Sequence, residues 1–506
     1  MSRKTSRRPG REEQKERYRA QKLVLRERQR KQGLISPERP SASSRKSEMV
    51  TVEEEGAARV RAVLEQVVAM RTLLPVLLKS LSRIEDPRQA KKVEHKLAAL
   101  LLFGILMFVY QLASRREATR KMTQPQFMEN LKLLFPEVED LPHHDTLGRI
   151  LARIEVEQIQ DGLVEMMRTL LRRKKLRRFL MNGWLRIAID GTQKLARDVC
   201  ISDNYMERTF NKGSDKEQTQ YYVYILEASV VLGGTIAVPL MSEFLSYSTD
   251  DVGERQDCEL NAFKRLAKRL KEAFPRQRIM VLLDGLYANG PVITLCRTNG
   301  WQFMIVLKDG SLPSVWEEAN GLRPLLPDNR HEMTWGARQQ SYWWVNGIEY
   351  TYNNGPRRPE TIHVVVCDET WEEVDPKTCE IVTKHSRHAW ISSQPIRARD
   401  LHERCNLCAR HRWEIESSIL VEKRHGYQYE HCFSHDWTAM KGFHYLMRIA
   451  HFFNALVQLS EKLAKMVRSM TARGFISFVR ETIVGRWLTP ALVTARLSGC
   501  LQLRLE

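Results

Sequence analysis

Two short apolar runs each end in Asp-Gly: Leu185–Asp190 (LRIAID, then Gly191) and Arg278–Asp284 (RIMVLLD, then Gly285). Such runs read as buried strands, and a carboxylate at a strand's C-terminal end points into the crevice where α/β sheets hold ligands. Two such groups on neighbouring strands repel each other unless a cation lies between them, and hard oxygen donors suit Mg2+ or Mn2+. Taken singly, an Asp before Gly is as readily a turn cap; the pair, in this strand order, favours chemistry. A third acid stands in Arg412-Trp413-Glu414-Ile415-Glu416, with Lys423 beyond it. On a helix, Glu416 lies about 40° round from Arg412 and Lys423 about 20° from Glu416, so the three share one stripe, while Glu414 lies about 200° from Arg412. Glu416 is therefore the better ligand, although a charged stripe is commonly a solvated face.

The elements that must position these acids follow from periodicity. Residues 51–180 read as wholly helical: Ala57–Ile84 has apolar residues at helical spacing, Leu97–Ala113 is apolar for 17 residues, and Asp145 or Thr146 suits a helix N-cap. From Trp184 the pattern becomes strand-like. Leu185–Asp190, Thr219–Val231 and Thr235–Tyr247 read as strands, the last two joined at Gly233-Gly234. An amphipathic helix over Gln256–Phe274, then strands at Arg278–Asp284 and Trp301–Leu307, complete a mixed sheet that needs helices on its faces. Residues 309–398, rich in Trp, Tyr and Thr with turn pairs at Asn346-Gly347 and Asn354-Gly355-Pro356, read as an antiparallel β insertion. Helices return over roughly 400–424, 436–468 and 473–485.

These residues and their order resemble the DDE transposases of bacterial insertion sequences, and more narrowly the group marked by a Tyr-x2-Arg-x3-Glu-x6-Lys motif. Arg412, Glu416 and Lys423 match its last three positions, whereas Ala409 stands where the Tyr would be. The resemblance, over roughly residues 90–460, implies an RNase H-like mixed five-stranded sheet with helices on both faces, a β-rich insertion and an N-terminal all-helical domain. The implied division is a basic arm (1–50), a helical DNA-end-binding domain (51–180), a catalytic core (181–308 and 399–470) split by the insertion (309–398), and a helical tail (471–506). It implies that Asp190, Asp284 and Glu416 hold two Mg2+ or Mn2+ ions, that Arg412 and Lys423 neutralise phosphate near the scissile bond, and that cleavage and strand transfer follow two-metal phosphoryl transfer. Double-stranded DNA, as transposon ends and target, is the implied substrate, with a homodimer acting on paired ends. Aromatics of the insertion, Trp335, Trp343 and Trp344, could stack a flipped base or pack the sheet.

Charge agrees with a polyanionic partner. The 506 residues carry a formal net charge of +19, and residues 1–50 hold 16 Lys/Arg against six Glu, more than half of that excess. That arm, with one charged helix expected over Glu12–Gln32 and a linker at Pro37–Ser47, cannot bury enough apolar surface to order by itself. A second basic cluster comprises Arg172, Arg173, Lys174, Lys175, Arg177 and Arg178; both are candidates for phosphate contacts or for a solubilising surface. Nine scattered cysteines suggest reduced thiols in a cytoplasm. Leu97–Ala113 is expected to be a buried helix rather than a membrane span, so no membrane partner is expected. Cys405-x2-Cys408 with His411, and Cys432-x2-His435, could bind zinc, but buried free thiols suit a helical CxxC better. Glu259 is a candidate second acid near the sheet or a surface carboxylate. A nuclease of the same fold without strand transfer, and a DNA-binding protein derived from a transposase, remain alternatives.

Overall fold

A computed structural model describes residues 10–34, 47, 49–138, 141–234, 236–250, 253–352 and 359–506. The protein is mixed α/β, with a mostly helical N-terminal region and a large mixed sheet. It divides into two compact units: Met1–Ser41 with Leu282–Arg410, and Ala42–Val281 with His411–Glu506. They are called here the insertion unit and the core unit.

In chain order, α1 (Arg11–Lys31) belongs to the insertion unit. The core unit then runs through α2 (Val52–Arg71), α3 (Leu74–Leu81), α4 (Leu97–Val109), α5 (Arg115–Met122), α6 (Pro125–Leu134), α7 (His144–Leu151) and α8 (Glu157–Arg172). A complete capping box starts α2: Thr51 accepts the Glu54 N–H, and the Glu54 side chain returns to the backbone N–H of Thr51. The long apolar run forms α4, only 13 residues and nearly all buried. No described helix is long and apolar enough to cross a membrane.

Strands follow as β1 (Leu185–Arg197), β2 (Met206–Phe210), β3 (Gln218–Val231), β4 (Ala237–Phe244), β5 (Tyr247–Asp250) and β6 (Gly253–Gln256), then α9 (Glu259–Ala273) and β7 (Ile279–Leu283). Antiparallel β3 lies between β1 and β4, and the β3–β4 hairpin turns through Gly233 and Gly234, both at positive φ as that turn requires. Asp190 was expected at the end of β1. Instead the strand continues to Arg197, because β3 pairs with it beyond Asp190 and across a bulge between Gln193 and Leu195. What ends at Ile189 is the fully buried stretch, not the strand.

The insertion unit continues with α10 (Gly290–Thr298), β8 (Gln302–Val306), α11 (Pro313–Leu322), β9 (Arg330–Trp335), β10 (Arg338–Tyr350), β11 (Glu360–Val374) and β12 (Ile381–Ser392). An expected five-stranded sheet would finish at β8. Here β8 pairs antiparallel with β12, and the ladder runs on through β11 and β10 to β9. Asn346-Gly347 is not a turn. It is a bulge inside β10, with Gly347 at φ 80° and the Asn346 side chain spanning both backbone groups of Ile396. The charged arm helix docks here: α1 lies against β11, with Arg28 on Glu372 and Gln14 donating to the carbonyls of Pro376 and Lys377. The linker at 37–47 and the turn at 354–356 fall outside the described residues, apart from Ser47.

The core unit closes with α12 (Trp413–Arg424), α13 (Trp437–Gln458), α14 (Ala464–Met470), α15 (Ala472–Val484) and α16 (Pro490–Leu497). The helix expected over 400–424 is broken. Short turns occupy Ala398–Asp400, His402–Asn406 and Ala409–Arg412 before α12 begins. Side chains of that stretch are committed to the insertion sheet: Arg404 reaches Ser392 and Arg410 reaches Glu369. The helix expected over 436–468 likewise stops at Gln458 and resumes at Ala464. α13, buried along almost its whole length, packs against α4, α7, α8 and β4, so the N-terminal helices and the C-terminal helices share one core.

Candidate active site

β1 delivers Asp190 and α12 delivers Glu416. The α12 sequence suits a helix that starts at Trp413: Glu414 and Glu416 sit in its first turn and Lys423 and Arg424 in its last, each complementing the helix dipole. Arg412, 6% exposed, lies between the two acids. Its Nη2 donates to Glu416 Oε1 at 2.7 Å, and its Nη1 is 3.7 Å from Asp190 Oδ2. The one-stripe geometry of Arg412 and Glu416 is thus present as an i,i+4 ion pair, and the strand aspartate joins it. Arg412 Nε is buried without a hydrogen-bond partner among the described residues.

Residues on either side of Asp190 show why an Asp-Gly pair is needed. Successive residues on a strand point to opposite faces. Asp190 meets α12 on one face, and on the other Gly191 is covered by α9: a Cβ there would come within 2.5 Å of Glu259 Oε2 and 2.6 Å of the Tyr224 ring. Tyr224 Oη also donates to Glu259 at 3.1 Å. Glu259 is therefore a carboxylate packed under the site strand, on the face away from Asp190, and helices do cover both faces of β1. Gly191→Ala should cost about 1–3 kcal/mol through overpacking. The cost should shrink in a Glu259→Ala background, and urea unfolding of the four proteins of that cycle would measure it. Additive costs would show that the glycine is not set by this contact.

Lys423 is on the same stripe but differently engaged. Its Nζ donates to the Gln193 carbonyl at 2.9 Å and pairs with Glu430 at 3.1 Å. Beside it, the bulged Lys194 is buried, donates to the Tyr429 carbonyl at 2.7 Å, and is pushed down to about 8 by burial, with Glu227 opposing that shift. Two lysines therefore tie the end of β1 to the chain that follows α12.

In the insertion unit, Asp284 follows β7 directly. Its Oδ1 accepts the Leu286 N–H at 2.9 Å, capping a short turn, and its Oδ2 is 3.7 Å from Lys308 Nζ. The Lys308 stem lies over Gly285, where a Cβ would come within 2.7–2.8 Å of it. At both Asp-Gly pairs a side chain lies across the glycine, an exposed and movable lysine stem at Gly285 and the packed Glu259 and Tyr224 at Gly191. Asp190 and Glu416 both supply carboxylate oxygens, the donor type that hard divalent cations take, but the position between them is held by the Arg412 guanidinium. Among the described residues, no group of three or more His, Cys, Asp or Glu is gathered to hold a metal ion. Of the three acids, the structure brings Asp190 and Glu416 onto one guanidinium; Asp284 belongs to the other unit.

The remaining candidates separate by burial. Trp343 and Trp344, 3% and 5% exposed, are packed in the β10 core, with Arg323 over Trp343. Rings so enclosed cannot take a base, which corrects that expectation for those two. Trp335 is half-buried, with the Arg410 guanidinium 5.2 Å from its ring centre. At the end of α8, Arg172, Arg173, Lys174, Arg177 and Arg178 are exposed and Lys175 is half-buried. Some also brace the fold: Arg173 donates to the Thr72 carbonyl and Arg178 to that of Leu505. Cys405 and Cys408, expected on the helix that carries Glu416, lie instead in the short turns before it; both are buried, and burial pushes the Cys405 thiol up. Cys432 donates to the Ser434 carbonyl at 3.0 Å.

Behind Asp190 lies a buried polar cluster that no single segment of sequence announced: Glu227 on β3, Glu422 on α12, and His444, Arg448 and His451 on α13, all 4% exposed or less. Its one legible trace is the spacing of the last three, which follows the helical period along α13.

The architecture and this site define a class first: a mixed α/β protein with paired strand and helix carboxylates held by a buried arginine. Residues 78–167, most of the helical region, match the family model described as DDE_Tnp_1-associated. That match supports a DDE-type transposase family and, in general terms, nuclease or transposase activity. The matched residues end before Asp190. No curated protein matches the chain.

Proposed function

We propose that the protein is a DDE transposase with an RNase H-like catalytic core, which cleaves DNA strands at the ends of an insertion sequence and joins them to target DNA. The observation that carries this reading is the convergence of Asp190 and Glu416, from a strand and a helix more than 200 residues apart, onto Arg412. The family match to the helical region supports it, as does the order of the sheet elements: the antiparallel strands β1, β3 and β4, then α9, β7, α10 and β8.

In this reading Asp190 and Glu416, with Asp284 as third ligand, hold Mg2+ or Mn2+, which supplies charge stabilisation at the attacking and leaving oxygens. Arg412 orients the two carboxylates and adds positive charge close to the scissile phosphate. Lys423 fixes the end of β1 and adds positive charge beside the site. The exposed bases at the end of α8 contribute salt-dependent, sequence-independent affinity for DNA.

The test is incubation of the protein with DNA carrying its flanking ends, a target plasmid and Mg2+. Joined products are expected. Nicked ends without joining would reduce the activity to that of a nuclease, and a gel shift with intact DNA would defeat the reading.

A further inference from the structure

We propose that Arg448 is a positioning residue for the carboxylate pair: by binding Glu227 and Glu422 together, it sets α12 on the sheet and so fixes Glu416 relative to Asp190. This rests on the transposase reading of Asp190 and Glu416 for its functional consequence, but not for its geometry.

Glu227 is the residue directly opposite Asp190 in the β1–β3 register, and paired residues of an antiparallel ladder share a face. Two acids so placed would repel each other. Each has its own arginine: Asp190 has Arg412 from the end of the turn before α12, and Glu227 has Arg448 from α13, 3.2 Å away. Arg448 Nη1 also donates to both oxygens of Glu422 at 2.9 Å, and Glu422 lies six residues beyond Glu416 on α12. One guanidinium therefore ties β3 to α12.

Every remaining contact tightens the same joint. His451 Nδ1 lies 2.6 Å from Glu422 Oε1, while His444 Nε2 lies 3.1 Å from Glu227 Oε1. Tyr429 Oη and Ser242 Oγ donate to Glu227 at 2.9 and 2.6 Å. Arg448 Nη2 further reaches the Ala228 carbonyl and Ser229 Oγ at 3.4 Å. An apolar core of the same volume would hold α12 as firmly, yet would tolerate sliding. Directional bonds do not: moving α12 by one residue, about 1.5 Å along its axis, breaks both Arg448–Glu422 bonds. Glu416, on the same rigid helix, would move with it.

The experiment compares wild type with a neutral replacement of the joint, Glu227→Gln/Glu422→Gln/Arg448→Met, and with Glu422→Asp, which keeps the charge and shortens the arm by one carbon. DNA affinity, single-turnover cleavage rate and hydrogen exchange of residues 413–424 are measured on each. Both variants are expected to bind DNA within about threefold of wild type, to cleave at least about tenfold more slowly, and to exchange 413–424 faster while α13 stays protected. Wild-type exchange over 413–424 in a folded triple variant overturns the proposal, as does a wild-type cleavage rate in either variant. Should the triple variant not fold, Glu422→Asp decides alone. A wild-type protein that binds DNA without cleaving it would defeat the transposase reading, while the exchange comparison would still decide whether Arg448 sets α12.

Discussion

Asp190→Asn is expected to lower DNA strand cleavage by about 10³-fold or more, a loss of about 4 kcal/mol of transition-state stabilisation, with DNA affinity within about threefold of wild type. The substitution keeps the side chain's volume and removes its charge, so it isolates the electrostatic role. Asp190 faces Arg412 at 3.7 Å and is partly exposed; weakening that ion pair should change stability by less than about 1 kcal/mol. DNA affinity, carried by arginines and lysines on phosphates, has no reason to fall. Asp198→Asn is the matched control: Asp198 is exposed at the end of the same strand, accepting from Gln218, and should leave cleavage unchanged. Cleavage by Asp190→Asn at more than a tenth of the wild-type rate would remove this residue from the chemistry, and the proposed activity with it.

How far this site could be read from sequence depends on whether each partner was local. The strands around Asp190 and Asp284 were legible because IAI and IMVLL are short apolar runs bounded by Asp-Gly, as strands buried on both faces are. The Arg412–Glu416 pair was legible because helical spacing brings i and i+4 together. The extent of β1 was not. Past Asp190 the apolar run stops, and what keeps the chain extended is the β3 ladder, supplied by a segment some 30 residues later. The break before α12 was hidden for the same reason: Arg404 and Arg410 have helical neighbours in sequence but are drawn to Ser392 and Glu369 on strands. Lys423 shows the limit of spacing as evidence. It lies on the expected stripe, yet its ammonium is engaged by the Gln193 carbonyl and Glu430, neither of which the helical period can announce.

The buried joint gives the largest expected effect on stability. Arg448→Met alone should cost about 3–5 kcal/mol at pH 7, because it leaves Glu227 and Glu422 buried without their arginine. The loss should be strongly dependent on pH, in a direction fixed by the acids. In wild type, burial pushes the Glu227 carboxyl up, but Arg448 and then His444 more than offset this and hold it at about 2. A folded-state value depressed in this way gives stability that is present above the ordinary carboxylate range, about 4.5, and is lost as pH falls from there towards 2. Removing Arg448 leaves desolvation to dominate, which raises both carboxyls above their unfolded values. The variant then binds more protons folded than unfolded, and gains stability as pH falls. His444 and His451 remain beside the two acids and temper the effect without reversing it. Urea unfolding at pH 7 and pH 4 should therefore show the gap between wild type and Arg448→Met narrowing in acid. A gap that is constant with pH would mean that the variant suffers from lost packing alone, and that Arg448 does not neutralise the two carboxylates it touches.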